Sequence, residues 1–297
     1  MKRITVGMFL LVLCGTSAFP QSGKAPVEVP FEFVANQIIV QAKIGGKGPF
    51  NMLIDTDTDP SAIDSATAKE LGLDVGTKGS TEKNVVYPTR LSTVDVGALT
   101  ARDVGAATID LKQLSARIGK PIHGVLGYSF LKDRIIQIDY PNLKIRFFAE
   151  SPYPRISLAP NTVNTIAFPF RREDGHVIID SVFINSEKMR ATLDTGSSSS
   201  FTLTPEAVAI LRLDEQADEG KASTSVGYNG EFANKSGLLK SVRLGRLSLE
   251  SVPATFWLPN TGHDKKTFQV NIGNAFFEDF ILTFDFRGKI VVFERVD

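Results

Sequence analysis

The stretch "LIDTDTDPS" at residues 53–61 sets three aspartates at alternate positions. Such a run either opens a calcium loop or carries one catalytic carboxylate with two lesser neighbours. A calcium loop of the EF-hand type needs glycine at its sixth place, for the sharp turn, and a bidentate glutamate at its twelfth. Counted from Asp55, those places hold Pro60 and Ala66. Turn and distal ligand are both missing, which leaves room only for a looser cation site.

The rest of the chain supplies the other reading, because the motif occurs twice. "FNMLIDTDT" (50–58) aligns with "MRATLDTGS" (189–197) and sets Asp55 over Asp194. "SAIDSATAKELGL" (61–73) aligns with "SFTLTPEAVAILRL" (200–213), and "TVDVGALTARDV" (93–104) with "SVRLGRLSLESV" (241–252). Finally "VLGYSFLKDRIIQIDYPNLKIRF" (125–147) aligns with "NIGNAFFEDFILTFDFRGKIVVF" (271–293), with Gly127 over Gly273 and Asp139 over Asp285. Four blocks in one order, at nearly constant offset, are two copies of one fold. Pro152, Pro154 and Pro160 break regular structure between the copies.

Each copy reads as strands. "NQIIVQAKI" and "HVIIDSVFI" are rich in β-branched residues, and "IIQIDY…KIRFF" and "ILTFDF…KIVVFE" read as hairpins turning at Pro141-Asn142 and Arg287-Gly288. Asp139 and Asp285 suit the ends of those turns, and "RREDG" (171–175) reads as a charged turn. Short helices are expected after the N-caps Asp64 and Thr204, with Pro205 in the first turn and Gly72 as a stop, and again after Gly127 and Gly273. The expected class is all-β, built of two similar barrel-like lobes. We place them at 28–148 and 167–297, joined by a proline-rich linker over 149–166.

These residues carry a resemblance to the two-lobed aspartic peptidases, retropepsin-like and pepsin-like. The matching motifs are hydrophobic-Asp-Thr, "LIDT" (53–56) and "TLDTGSS" (192–198). Each is followed by two hydrophobic residues and a glycine, "VLG" (125–127) and, more loosely, "NIG" (271–273). The resemblance implies an endopeptidase that needs no cofactor or metal and acts on polypeptide. Such an enzyme holds water between two carboxylates, one ionised to take the water's proton and one protonated to polarise the carbonyl. Carboxylates about 3 Å apart cannot both be charged, so the pair titrates jointly. Each lobe supplies one, so Asp55 and Asp194 are the implied dyad, and a monomer contains both halves.

By the same resemblance Thr56 and Thr195 bond across the lobe interface, and Gly196 and Ser197 complete the second loop, Ser197 holding the outer oxygen of Asp194. Asp57 departs from the pattern, standing where the family has glycine. A side chain there would crowd the cleft, and a third carboxylate would raise the dyad's apparent pKa values. Two outcomes stay open: an enzyme working at less acidic pH, or a peptide-binding protein that does not cut. Hairpins near "NVVYPTR" (84–90) and "SVGYNGEF" (225–232) are placed to close over the cleft, with Tyr87 and Tyr228 as candidate substrate contacts.

Composition bounds the remaining classes. The 297 residues, with 33 basic and 33 acidic groups, carry no net charge and no long basic block, which argues against nucleic acid as a partner. His123, His176 and His263 show no metal-ligand spacing. "MKRITVGMFLLVLCGTSAFPQ" reads as a signal peptide over residues 1–18, so export to the periplasm or medium is expected. Its Cys14 is the sole cysteine. Lipid anchoring at Cys14 is disfavoured by the bulky Leu13 before it.

Overall fold

The computed structural model describes residues 25–77, 79–80, 85–153, 164–227, 230–259 and 266–296. Residues 1–24 with Cys14, Tyr228 and most of the proline-rich segment lie outside them. Within them the chain is mostly strand, with six short helices.

Two eight-stranded sheets repeat one spatial order. The first runs Glu32–Val34, Gln37–Ile44, Lys47–Ile54, Gly124–Leu126, Ser61–Asp64, Leu99–Ile109, Val85–Val96, Gly79–Ser80. The second runs Arg171–Glu173, His176–Ile184, Glu187–Asp194, Val270–Gly273, Phe201–Leu203, Leu247–Trp257, Gly230–Leu244, Ala222–Gly227. The duplication read in the sequence is therefore a duplication of strand order.

A six-stranded sheet joins the copies. Its central pair, Ile135–Asp139 and Phe280–Asp285, comes from different lobes and is antiparallel, with Ile136 opposite Phe284 and Ile138 opposite Leu282. All five residues of Ile135–Asp139 are buried, as expected for a strand covered on both faces. One apolar cluster runs through this sheet into both lobes and includes Phe130, Phe147, Phe277, Phe284 and Phe293. Burying each such ring is worth roughly 1.5–3 kcal/mol, so the lobes share a core and not merely a linker. At the hairpin ends Asp139 accepts from Asn142 N (3.2 Å), and Asp285 from Arg287 N (3.0 Å) and Gly288 N (2.7 Å), the expected turn chemistry.

The helix starts follow local signals. Asp64 accepts from Ala66 N and Thr67 N at the head of Ser65–Leu71, and Gly72 ends that helix at φ 67°. Thr204 accepts from Ala207 N ahead of Pro205–Ile210. Tyr128–Leu131 and Asn274–Phe277 follow the two motif glycines. Lys112–Ile118 and Asp214–Glu219 were not anticipated, since neither begins with a capping side chain. A second cluster in the first lobe, including Ile39, Leu53, Leu114, Ile118 and Val125, packs Lys112–Ile118 onto the sheet.

Candidate active site

In each lobe the strand ending near the motif aspartate runs parallel to the strand ending near the motif glycine. Ile54 pairs with Leu126, and Asp194 with Gly273. The loop after the aspartate then folds back onto that glycine. Tyr128 N donates to Thr58 O (2.8 Å), and a methyl group on Gly127 would overlap that carbonyl. In the second lobe Asn274 N donates to Ser197 O (2.9 Å), and a Cβ on Gly273 would lie 2.6 Å from it. The glycines are required by this close packing.

The two loops are tied to each other by their threonines. Thr56 Oγ1 donates to Leu193 O (2.6 Å) and accepts from Thr195 N (3.1 Å); Thr195 Oγ1 donates to Ile54 O (3.0 Å) and accepts from Thr56 N (3.1 Å). Both threonines are wholly buried. Four reciprocal bonds set the two aspartate loops back to back across an approximate twofold.

Asp55 and Asp194 line one cavity of about 320 Å³ between the lobes. Asp55 Oδ1 accepts from Asp57 N (2.7 Å) and Thr58 N (3.0 Å), and Oδ2 from Thr58 Oγ1 (2.6 Å). Asp194 Oδ1 accepts from Gly196 N (2.8 Å), and Oδ2 from Asn271 Nδ2 (2.6 Å). Gly196 ties the two together: its N–H holds Asp194, while a methyl on its α-carbon would overlap the Asp55 carboxylate. Burial pushes the Asp194 carboxyl well above the usual carboxylate range, reinforced by the negative charges of Asp57 and Asp55 and opposed by its bonds to Asn271 and Gly196.

Ser197 does not hold the outer oxygen of Asp194. Its Oγ faces its own loop and accepts from Ser199 N at 3.4 Å, and Asn271 occupies the outer oxygen instead. The expected role falls in the first lobe to Thr58, which aligns with Ser197.

Asp57 lines the cavity, yet its carboxylate turns into the second lobe. Oδ1 accepts from Val177 N (3.1 Å), and Oδ2 accepts from Thr192 Oγ1 (2.6 Å) and lies 3.0 Å from His176 Nδ1. Its side chain is only 8% exposed. Its backbone N–H still serves Asp55 as that of Gly196 serves Asp194. Neither residue has a positive φ, so the position demands glycine only where a methyl would collide, which is the case at 196.

The remaining sequence candidates distribute as follows. Tyr87 sits in the strand Val85–Val96 opposite Thr108 and does not line the cavity. Tyr228 lies outside the described residues. Strand Ala222–Gly227 approaches helix Lys112–Ile118 of the other lobe, and Leu114 of that helix lines the cavity. The D-x-D-x-D run diverges to separate partners: Asp55 to its own loop, Asp57 to the second lobe, and Asp59 Oδ2 to Arg172 (3.3 Å). Among the described residues no group of three or more His, Cys, Asp and Glu could hold a metal ion.

The "RREDG" turn has a function that its charge alone did not reveal. Arg171 pairs with Glu173 at the surface, but Arg172 donates to Thr56 O (3.1 Å) and stacks 3.7 Å over the Tyr128 ring. The equivalent hairpin of the first lobe covers the other loop, Gln37 Nε2 donating to Gly196 O (2.9 Å). Thr58, Gln37, His176, Thr192 and Asn271 were not picked out from sequence. The repeat itself held a signal, since Gln37 aligns with His176 and Thr58 with Ser197. Thr192 and Asn271 are polar where the first copy has Leu53 and Val125.

Two lobes of one strand order, each delivering an aspartate to a shared cavity through interlocked loops, define an aspartic-type peptidase of the two-lobed acid-protease fold. The chain belongs to the aspartyl protease family, whose model matches residues 40–130 and 181–276. Among solved structures it is similar to a retropepsin-like aspartic protease from Rickettsia conorii, at 24% identity and a TM-score of 0.35, over 45% of this chain and 92% of that one. A search of curated proteins finds no match.

Proposed function

We propose that the protein is an exported, monomeric endopeptidase that cleaves polypeptide with water activated by Asp55 and Asp194. The observation that carries this reading is Gly196, which donates to Asp194 while lying against the Asp55 carboxylate. Three donors converge on Asp55, an arrangement suited to a carboxylate acceptor, whereas Asp194 is pushed toward its neutral form by burial and by its two acidic neighbours. Asp55 is accordingly the base that takes the water's proton. Asp194 is the acid that donates to the carbonyl oxygen as the tetrahedral adduct forms; Asp55 then gives the proton it took to the leaving amine as the C–N bond breaks, and Asp194 recovers its proton from the adduct's hydroxyl as the carbonyl re-forms. Export is supported by the leader sequence, with its cationic start and apolar run.

Asp57 favours an active enzyme, because its carboxylate is engaged by the second lobe. A protein that binds peptide without cutting is the competing outcome. The test is a purified chain acting on a denatured protein from about pH 3 to 7, with and without a statine inhibitor. Cleavage that the inhibitor stops, and that Asp55→Asn and Asp194→Asn each abolish, supports the proposal. Peptide binding without cleavage overturns it.

A further inference from the structure

The two sides of the cavity differ in chemistry. On the first-lobe side Leu53 and Leu114 line it; on the second-lobe side Phe232, Trp257, Phe268 and Asn271 do. Strand register makes the contrast specific. Leu53 pairs with Val125 in the first lobe, and the corresponding pair in the second is Thr192 with Asn271. Approximate twofold symmetry thus relates an apolar floor to a polar one.

The polar floor has an unmet requirement. Asn271 is 5% exposed, its Nδ2 is committed to Asp194, and its Oδ1 has no hydrogen-bond partner. Gln37, also 5% exposed, commits Nε2 to Gly196 and leaves Oε1 without one. Among the described residues, those lining this cavity that carry a buried unpartnered side-chain atom are Gln37 and Asn271, and both atoms are acceptors. A buried acceptor without a donor costs free energy that a bound ligand can recover by supplying one. The aromatic walls accept an apolar shaft.

We infer that this cleft selects a peptide with an apolar side chain on one side of the scissile bond and, on the other, a side chain tipped with a hydrogen-bond donor, such as a carboxamide or hydroxyl, which Asn271 Oδ1 receives. This inference rests on the proposed peptidase activity and names its substrate class. Asn271 then has two tasks, holding Asp194 with one end of its amide and reading the substrate with the other.

The test compares peptides that differ only in an asparagine or its isostere leucine beside the scissile bond, in both orders about it. One order of the leucine–asparagine pair is expected to be cleaved with kcat/KM about ten-fold above the leucine–leucine peptide. Asn271→Val, which copies Val125, should erase that ratio, whatever its effect on the absolute rate. Reduced-bond analogues of the same peptides, titrated calorimetrically against the wild-type chain, read the pocket independently of turnover and should show the same preference. Equal binding of the asparagine and leucine analogues would overturn the inference. Discrimination without any cleavage would overturn the peptidase proposal and leave the pocket assignment standing.

Discussion

The Asp57 carboxylate accepts the Thr192 hydroxyl at 2.6 Å across the seam between the lobes. This bond explains how a residue other than glycine fits the first motif. Its backbone serves Asp55, and its side chain fastens the loop to the opposite lobe. The charge nevertheless stays close enough to Asp194 to disfavour loss of the latter's proton.

Asp57→Asn removes that charge with little change in volume. Asp194 should then lose its proton more readily, so the alkaline limb of the kcat/KM profile moves to lower pH. Asp57→Gly should move it the same way and also leave the buried Val177 N–H without its acceptor, costing about 1–3 kcal/mol of stability. A pH–rate series with parallel denaturant melts checks both; an unmoved limb would remove Asp57 from the electrostatics of the site.

Asp194 also predicts a pH-dependent stability. Its folded pKa is raised above the unfolded value near 3.8, so the folded state holds more protons between those values and stability falls as pH rises through that window. Asp194→Asn, which has no proton to lose, should therefore melt higher than wild type at neutral pH, with the advantage vanishing below the unfolded value. Thermal melts across the range would sink the assignment if the difference were constant.

Thr195→Val deletes two of the four interlocking bonds and strands the buried Thr56 N–H, a cost of about 1–3 kcal/mol. Because the same bonds align the aspartate loops, kcat should fall further than global stability explains. Activity measured where the variant remains fully folded separates the two effects.

Gly196→Ala places a methyl where the Asp55 carboxylate sits. A displacement of about 1 Å in a reacting group can cost about 10²-fold in rate, so activity should drop at least that far while the fold survives. Retained activity would mean that Asp55 moves without consequence and is not the base.

Much of the fold was legible along the chain because its signals are local or repeated. Asp64 and Thr204 cap helices through bonds spanning two or three residues, and Asp139 and Asp285 close turns in the same way. The helix Lys112–Ile118 follows Leu111, which offers no capping side chain. Its place is set by packing Leu114 and Ile118 onto residues far away in sequence.

Sequence by itself determined the duplication, the all-β class and the pairing of Asp55 with Asp194 as candidates, because a repeat of motif and spacing is visible without folding the chain. Only the tertiary structure decided which groups surround those aspartates. Asn271 displaced Ser197 at the outer oxygen of Asp194, and Asp57 turned away to Val177, Thr192 and His176. A hydrogen bond depends on distance and direction in space, and these partners lie from 77 to 135 positions apart along the chain. Alignment of one copy on the other says which residues are equivalent, but it does not say which will touch.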